Sequence, residues 1–304
     1  LNSLGYLNLR YNNLKNFPDF TVIAPNLTSL LLSRNPFYLS ENSNERKLNQ
    51  NIINKIPAQL TRLDLPGTFY GSIEPNLFSK FTNIIDFQLG RGGGAYFHPD
   101  GINSGTPLPN IHDTCTTYTA YNNDFRSIAN SSGDNKNIKD LPNLSYLHLS
   151  GNYYLTDASF TTLASPDINY INLAATNLPI PNLAGKTQLQ TAYLHYMRSS
   201  NGLFSGNTYK FDNCTALSTL YLYATGLGGP FPRFTNPNLT FKDKLIIANR
   251  KAETRIDTFI ISNGMYGSTV EDIGDDWRDA RGFTKWSTHQ KEHGIKSTDN
   301  YTYN

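Results

Sequence analysis

The stretch that decides the fold lies at the start of the chain and reads Leu4-Gly5-Tyr6-Leu7-Asn8-Leu9-Arg10-Tyr11-Asn12-Asn13-Leu14. Leu7 and Leu9 are separated by one residue, which is the spacing of a short strand whose alternate side chains point inward. Asn12 follows at the point where such a strand would end, and an asparagine side chain can hydrogen-bond exposed backbone groups in a turn. The stretch therefore predicts a strand followed by a turn that Asn12 closes.

The same pattern recurs along the chain at intervals of 21 to 33 residues, and its copies begin at Leu4, Leu27, Leu60, Ile84, Cys115, Leu144, Ile168, Leu189, Leu217 and Lys242. One strand of this kind cannot bury its apolar face alone, so successive copies must stack into a parallel sheet. The pattern Leu-x-x-Leu-x-Leu-x-x-Asn-x-Leu resembles the leucine-rich-repeat family over about residues 1–250. The resemblance implies an α/β solenoid, a horseshoe with parallel strands on its concave face and irregular or 3₁₀ segments on its convex face.

The repeat predicts a core in register on consecutive strands. We expect the following side chains to be buried: Leu7, Leu9, Leu30, Leu32, Leu63, Leu65, Leu147, Leu149, Ile171, Leu173, Leu220 and Leu222. At the turn position Thr68, Thr176 and Thr225 replace asparagine, and we expect threonine to be a weaker substitute. The first repeat has no capping segment before it, which suggests that the sequence is a fragment.

The composition changes after about residue 250, where charged residues become more frequent and the repeat ends. We therefore predict two parts, a repeat array over 1–250 and a C-terminal cap or docking module over 251–304. Both tryptophans of the chain, Trp277 and Trp286, lie in the second part. Large aromatic side chains in a charged segment often anchor an interface, so we expect these two to dock on a partner or on the last repeat.

Composition also limits the function. The net charge is +2 and only 16% of residues are charged, below the usual ~25%. This gives no electrostatic reason to expect nucleic acid as a partner. No apolar run reaches the roughly 18–20 residues that a membrane-spanning helix needs, so we expect no membrane insertion in this segment. A polar composition rich in Asn, Tyr, Thr, Ser and Gly favours a surface or adhesive extracellular protein over a typical cytosolic enzyme.

Catalytic and metal sites have little support in the sequence. No Ser/His/Asp or Cys/His set stands out, so we expect no enzyme activity and no cofactor. His289 and His293 lack the further ligands that zinc needs, and the glycine run after Arg91 lacks the ending of a phosphate-binding loop. Cys115 and Cys214 are four repeats apart, roughly 19 Å at the spacing of stacked strands, which is too far for a disulfide. We expect both cysteines to be small core residues.

The predicted concave face carries an unusual number of tyrosine and histidine residues. As a ligand-binding set we single out Tyr146, His148, Tyr170, Asn172, Tyr193, His195, Tyr196, Tyr221 and Tyr223. Tyrosine offers a large contact area at a low entropic cost, which suits recognition of a protein or a sugar. The alternative is that neighbouring aromatic side chains form a ladder that only stabilises the sheet. Both interpretations stay open at this point.

Irregular Asn-, Tyr- and Gly-rich repeats without paired-cysteine caps look like those of tailed-bacteriophage tail or baseplate proteins. This resemblance implies a virion-surface adhesin that binds a host cell-surface glycan or protein, with other tail subunits as further partners. Two alternatives are a secreted or cell-surface receptor or adhesin of a cell and a purely architectural subunit. In each case the chain acts by non-covalent contact.

Overall fold

The computed structural model describes residues 1–37, 40, 48–66, 73–90, 107–123, 125–197, 202–203, 208–221, 227–231, 245–246, 258–261 and 300–302. The chain divides into two compact units, Leu1–Asp157 and Ala158–Asn304. The predicted domain boundary near residue 250 stays a prediction. The strand Thr258–Ile261, which follows this boundary in the sequence, pairs with Leu227–Phe231, which precedes it.

The first unit is built from short strands and two short helices. Its elements in chain order are β1 Tyr6–Asn8, α1 Phe20–Ile23, β2 Ser29–Leu31, α2 Gln50–Asn54, β3 Arg62–Pro66, β4 Asp86–Gly90, β5 Pro107–Leu108, β6 Ile111–His112, β7 Thr117–Thr119, β8 Ser127–Ile128, β9 Asn135–Lys136 and β10 Tyr146–His148. Both helices begin at a side-chain cap, Asp19 for α1 and Asn49 for α2, whose oxygen accepts from backbone N–H groups of the first turn. The short helices agree with the expectation of irregular segments between the strands.

Six strands of this unit form one parallel sheet in the order β1-β2-β3-β4-β7-β10. The pairing keeps one core residue of each strand level with the next, in the sequence Leu7, Leu30, Leu63, Phe87, Tyr118 and Leu147. The degenerate copies at Phe87 and Tyr118 thus occupy the same core column as the leucines. The structure confirms the leucine-rich-repeat fold that the spacing predicts.

The second unit repeats the same arrangement. Its elements are β11 Tyr170–Asn172, β12 Thr191–Tyr193, β13 Gly202–Leu203, a 3₁₀ turn at Thr208–Phe211, β14 Thr219–Tyr221, β15 Leu227–Phe231, β16 Leu245–Ile246, β17 Thr258–Ile261 and β18 Asn300–Thr302. The strands β11, β12, β14 and β16 form a parallel sheet in which Ile171, Ala192, Leu220 and Leu245 are level. A second sheet has the order β13-β15-β17-β18, and only its last pair is antiparallel.

Where the turn position carries asparagine, its side chain closes the turn by donating to backbone carbonyls. Asn152 Nδ2 donates to the carbonyls of Ala120 and Leu149, both at 2.7 Å, and so joins its own repeat to the preceding one. Asn35 Nδ2 does the same toward Leu9 and Leu32. Thr176 makes one bond of this kind, to Leu173 at 2.8 Å. The expectation that threonine is a weaker substitute is confirmed at this position, while Thr68 and Thr225 lie outside the described residues.

The residue before the turn position adopts a left-handed backbone conformation in repeat after repeat. Its φ angle is positive at Tyr11, Arg34, Asn122, Gly151, Ala175 and Tyr196. Five of these six residues carry a Cβ atom, which makes the left-handed conformation unfavourable in isolation. The turn geometry therefore holds these residues in place, and an asparagine or threonine follows directly after each of them except Tyr196, which precedes Met197.

The core is closely packed, but it is not closed at the first repeat. Leu30, Leu63, Leu147, Leu149, Ile171, Leu173 and Leu220 are fully buried, as predicted. Leu7 and Leu9 are only half-buried, so the expectation for this pair is wrong. Burial in a stacked array needs a neighbour on both sides, and β1 is the edge strand of its sheet. Leu222 lies outside the described residues.

Both cysteines are free and buried, as the sequence predicts. Burial raises the pKa of the Cys115 thiol to about 12 and that of the Cys214 thiol to about 11. The Sγ atoms donate to backbone carbonyls, Cys115 to Thr117 and Cys214 to Leu183. Such thiols are protonated at neutral pH and behave as small core residues.

Lysine side chains also tie successive repeats together, which the sequence alone did not suggest. Lys186 Nζ donates to the carbonyls of Leu163 and Ser165 at 2.8 and 2.7 Å, and Lys210 Nζ donates to Ile180 at 2.6 Å. Burial lowers the pKa of both amino groups. An ammonium group can satisfy several carbonyls at once, so these lysines add hydrogen bonds between successive repeats outside the sheet.

Candidate functional site

The side chains that alternate with the core columns form what we call the outer sheet face. In each repeat this face includes the residue before the first core position, the residue between the two core positions and the residue after the second. The two units differ in what they place there. The first unit carries the charged residues Arg10, Arg62, Asp64 and Asp86, whereas the described positions of the second unit carry no charged residue at neutral pH.

Arg10 and Asp64 form an ion pair that reaches across the strand between them. Arg10 belongs to the repeat of β1 and Asp64 lies on β3, so the arginine side chain passes over β2. Leu31 on β2 is buried although it holds an outward position in the strand register, level with Asp64. Arg10 also donates through Nη2 to Gln88 Oε1 on β4 at 3.3 Å.

The pair is unusual because Asp64 is almost fully buried. Burial raises the pKa of this carboxyl, and the Ser33 hydroxyl and the Arg10 guanidinium partly offset that effect. Arg62 Nε lies 2.8 Å from Asp86 Oδ2, close enough for a second ion pair on the same face, and this pair is partly exposed. These charges neutralise each other within the face, so the network serves to fasten β1, β3 and β4 together.

At the other end of the first unit, an aromatic group replaces the charges. The rings of Tyr121 and His148 are stacked, with centroids 4.9 Å apart and planes inclined by 16°. His148 Nε2 lies 2.7 Å from Ser150 Oγ, and burial lowers the pKa of the imidazole to about 4. A Cβ atom on Gly90 would lie 3.1 Å from the Tyr121 ring, so the glycine makes room for the tyrosine. Tyr121 is not among the residues predicted from the sequence to bind a ligand, although Tyr121 holds the same repeat position as Arg10 and His195.

The second unit carries a contiguous group that we call the neutral strip, made of Tyr170, Asn172, Thr191, Tyr193, His195, Thr219 and Tyr221. Tyr193 lies at its centre, level with Asn172 on one side and Tyr221 on the other. Its ring centroid is 4.8 Å from that of Tyr221, 5.9 Å from Tyr170 and 6.1 Å from His195. All three contacts are edge-to-face, with interplanar angles of 83°, 67° and 89°.

The neutral strip keeps its polar atoms uncharged. Burial lowers the pKa of His195 to about 4, so its imidazole is neutral at physiological pH. Burial, followed by the neighbouring Tyr221 and Tyr170, raises the pKa of Tyr193. The Asn172 amide donates to the Tyr170 hydroxyl at 3.4 Å and accepts through Oδ1 from the Ala174 backbone N–H at 3.1 Å. These groups can donate and accept hydrogen bonds, but they give no ionic attraction for a ligand.

The structure places the predicted ligand set in both units. Tyr146 and His148 belong to the first unit, with ring centroids 6.5 Å apart, and the other described members belong to the second. The sequence expectation placed Tyr196 on a strand, and this is wrong. Tyr196 follows the strand at the left-handed turn position, where it is 39% exposed and contacts His195 at a centroid distance of 5.6 Å. Tyr223, Trp277 and Trp286 lie outside the described residues.

No three His, Cys, Asp or Glu side chains among the described residues converge as a metal site requires. His289, His293 and the glycine run after Arg91 fall outside the described part of the chain. None of the helices in that part has the length and apolar character needed to cross a membrane.

The sequence matches no protein-family model and no curated protein. Among solved structures it is similar to the functional domain of InlJ from Listeria monocytogenes, at 16% identity and a TM-score of 0.45, over 85% of this chain and 59% of that one. It is also similar to the leucine-rich-repeat ectodomain of the receptor kinase GASSHO1/SCHENGEN3 from Arabidopsis thaliana, solved with CASPARIAN STRIP INTEGRITY FACTOR 2. That match has 19% identity and a TM-score of 0.40, over 90% of this chain and 37% of that one.

A third similar structure is the Arabidopsis receptor kinase HAESA, solved with the peptide hormone IDA and the co-receptor SERK1. It has 20% identity and a TM-score of 0.37, over 76% of this chain and 43% of that one. The chain therefore spans less than two thirds of the length of each solved structure that it matches here.

Proposed function

We propose that this leucine-rich-repeat chain is a non-enzymatic recognition module that binds its ligand on the neutral strip. The single observation that carries the proposal is the group of half-buried rings around Tyr193, which lies on a sheet face at three register-matched strands. Aromatic and amide side chains at this density are typical of binding surfaces, where they supply contact area and directed hydrogen bonds.

The packing of the rings supports binding as well as stability. Tyr193 contacts Tyr170, His195 and Tyr221, so its ring is held before a ligand arrives. Binding to side chains that are already ordered loses less conformational entropy than binding to mobile ones. Tyr196 stands beside this group and is more exposed, which makes it a contact residue at the edge of the strip.

For the biological setting, our proposal is a virion-surface adhesin of a phage tail or baseplate that attaches to a host cell surface. The low charge and the irregular Asn- and Tyr-rich repeats support this setting. A secreted or cell-surface receptor or adhesin of a cell is the alternative, because the same surface would serve it. A purely architectural subunit is favoured by a different observation, namely that the rings contact one another as a ladder would.

The test compares attachment by the parent chain and by the double variant Tyr193→Ala/Tyr221→Ala. Fluorescently labelled protein is incubated with a panel of bacterial strains and eukaryotic cells, and we expect the variant to bind more than about tenfold more weakly. The matched control is Tyr153→Ala/Tyr154→Ala, which removes two exposed tyrosines outside the strip. Equal attachment by parent and double variant would contradict the proposal and favour the architectural alternative.

The setting has its own test. Antibodies against the chain should label purified virions in immunogold electron microscopy, and label at the tail tip would agree with an adhesin. Label confined to cell envelopes would assign the chain to the receptor alternative instead. This experiment is independent of the ligand.

A further inference from the structure

We infer that the ligand of the neutral strip is an uncharged oligosaccharide. This inference rests on the proposed function, because it names the chemical class that the same surface takes. Three properties of the strip support it: its dimensions, its lack of charge and the arrangement of its rings and hydroxyl groups.

The described strip has the dimensions of a short oligosaccharide. It covers three adjacent strands, which are about 4.8 Å apart, and outward positions along a strand repeat every ~7 Å. The described part of the strip therefore measures on the order of 200 Å². Two or three sugar rings match this area.

The chemistry of the strip is complementary to neutral sugars. Tyr170, Tyr193 and Tyr221 offer phenol hydroxyls, Thr191 and Thr219 sit level with Tyr170 in the strand register, and Asn172 offers an amide. Each of these groups can exchange hydrogen bonds with sugar hydroxyls. No lysine or arginine lies at a described outward position of this unit, and His195 is uncharged. A carboxylate or sulfate on the sugar would find no partner there and would lose its hydration.

The rings that contact Tyr193 are not stacked on it. Its contacts with Tyr170, His195 and Tyr221 are all edge-to-face. The C–H groups on one side of a pyranose ring carry partial positive charge, and they pack well against the negative face of an aromatic ring. The first unit offers no such surface near its N-terminal end, since Arg10, Arg62, Asp64 and Asp86 occupy the equivalent positions.

The test uses a microarray of immobilised neutral, sialylated and sulfated oligosaccharides with the full chain as the probe. We expect binding to one or more neutral oligosaccharides, at least tenfold weaker for Tyr193→Ala/Tyr221→Ala and unchanged for Tyr153→Ala/Tyr154→Ala. The variant Tyr193→Phe keeps the ring and loses the hydroxyl, so we expect a smaller loss. Circular dichroism spectra that superimpose for all variants ensure that a loss of binding is not a loss of fold.

Three results would overturn the inference. Binding to none of the neutral oligosaccharides would do so, as would binding to sialylated or sulfated ones alone. Cell attachment that is sensitive to the double variant and to protease, but not to periodate, would replace the sugar by a protein while leaving the proposed function intact. Cell attachment that the double variant does not change would instead reject the proposed function itself.

Discussion

Tyr193 and Tyr221 occupy level positions on adjacent strands, and their rings meet edge to face with centroids 4.8 Å apart and planes inclined by 83°. The pair thus does two things at once, since it packs the sheet face and presents two phenols at that face. An edge-to-face pair contributes about 0.5–1.5 kcal/mol beyond the area that it buries. Measuring ligand binding and the free energy of unfolding in the same variants therefore distinguishes a ligand surface from a stabilising ladder.

We predict a measurable coupling between these two tyrosines. A double-mutant cycle with Tyr193→Ala and Tyr221→Ala should give an interaction energy of about 0.5–1.5 kcal/mol in urea-induced unfolding. Neither side chain belongs to the core columns, so the double variant should still fold cooperatively. A coupling near zero would show that the rings do not stabilise the sheet and would strengthen the binding interpretation.

The turn asparagine is expected to matter most where it is buried. Asn152→Ala leaves the carbonyls of Ala120 and Leu149 without their donor, at a cost of roughly 1–3 kcal/mol for each unsatisfied group. Asn152→Thr should lose less, because Thr176 makes one such bond in its own repeat. Chemical denaturation measures both. The exposed Asn12 is the control, and an equal loss for Asn12→Ala would contradict the role of burial.

Truncation of core leucines should depend on their place in the stack. Leu147→Ala removes a fully buried side chain from the column and should lower the free energy of unfolding by roughly 2–5 kcal/mol. Leu7→Ala removes the equivalent side chain of β1, which is half-buried, and should lower it by less. Thermal or urea unfolding compares the two variants. A larger loss at Leu7 than at Leu147 would mean that the stack is ordered differently.

Stability should fall as the solution becomes acidic. Because the pKa of His148 is lowered from 6.5 to about 4 in the folded state, the unfolded state binds protons more readily over that interval. The contribution of the neutral His148 imidazole to the stability of the folded state is therefore present above pH 6.5 and is lost as the pH falls toward 4. The His195 imidazole acts in the same direction. Urea midpoints measured between pH 7.5 and 4 test this expectation.

The matched variant for this experiment is His148→Phe, which keeps a ring beside Tyr121 and removes the titrating group. Its stability should depend less steeply on pH than that of the parent. An unchanged slope would mean that groups other than His148 control the acid sensitivity.

Removing a bridging lysine should loosen two repeats. Lys186→Met keeps most of the aliphatic chain but deletes the ammonium that bonds the Leu163 and Ser165 carbonyls. The expected loss is about 1–3 kcal/mol, since a partly buried acceptor is left without its donor. Hydrogen exchange of the surrounding amides would detect the change. Lys15→Met, at an exposed lysine, should have little effect.

The repeat itself could be predicted from the sequence because its signal is local. The spacing of Leu7, Leu9 and Asn12 determines which side chains enter the core and where the turn closes, and the copies around Phe87 and Tyr118 keep that spacing despite their different residues. The burial of both cysteines follows from the same register.

Other features depend on side chains that meet across repeats, and no sequence spacing reports such meetings. The Arg10–Asp64 pair crosses an intervening strand, and Tyr121 fits over Gly90 only because of the direction its ring takes. The exposure of Leu7 depends on what is stacked against it. The run of tyrosine and histidine residues continues to Tyr196, although the strand ends before it and Tyr196 lies in the left-handed turn.

The turns of Asn35 and Asn152 are each closed by bonds to their own repeat and to the one before it. The segment between one turn and the next strand can therefore change length without disturbing the pairing of the sheet. For the same reason a whole repeat can be inserted or removed as one structural unit. Recombination between similar repeats would add or remove one row of outward side chains while the remaining rows keep their register.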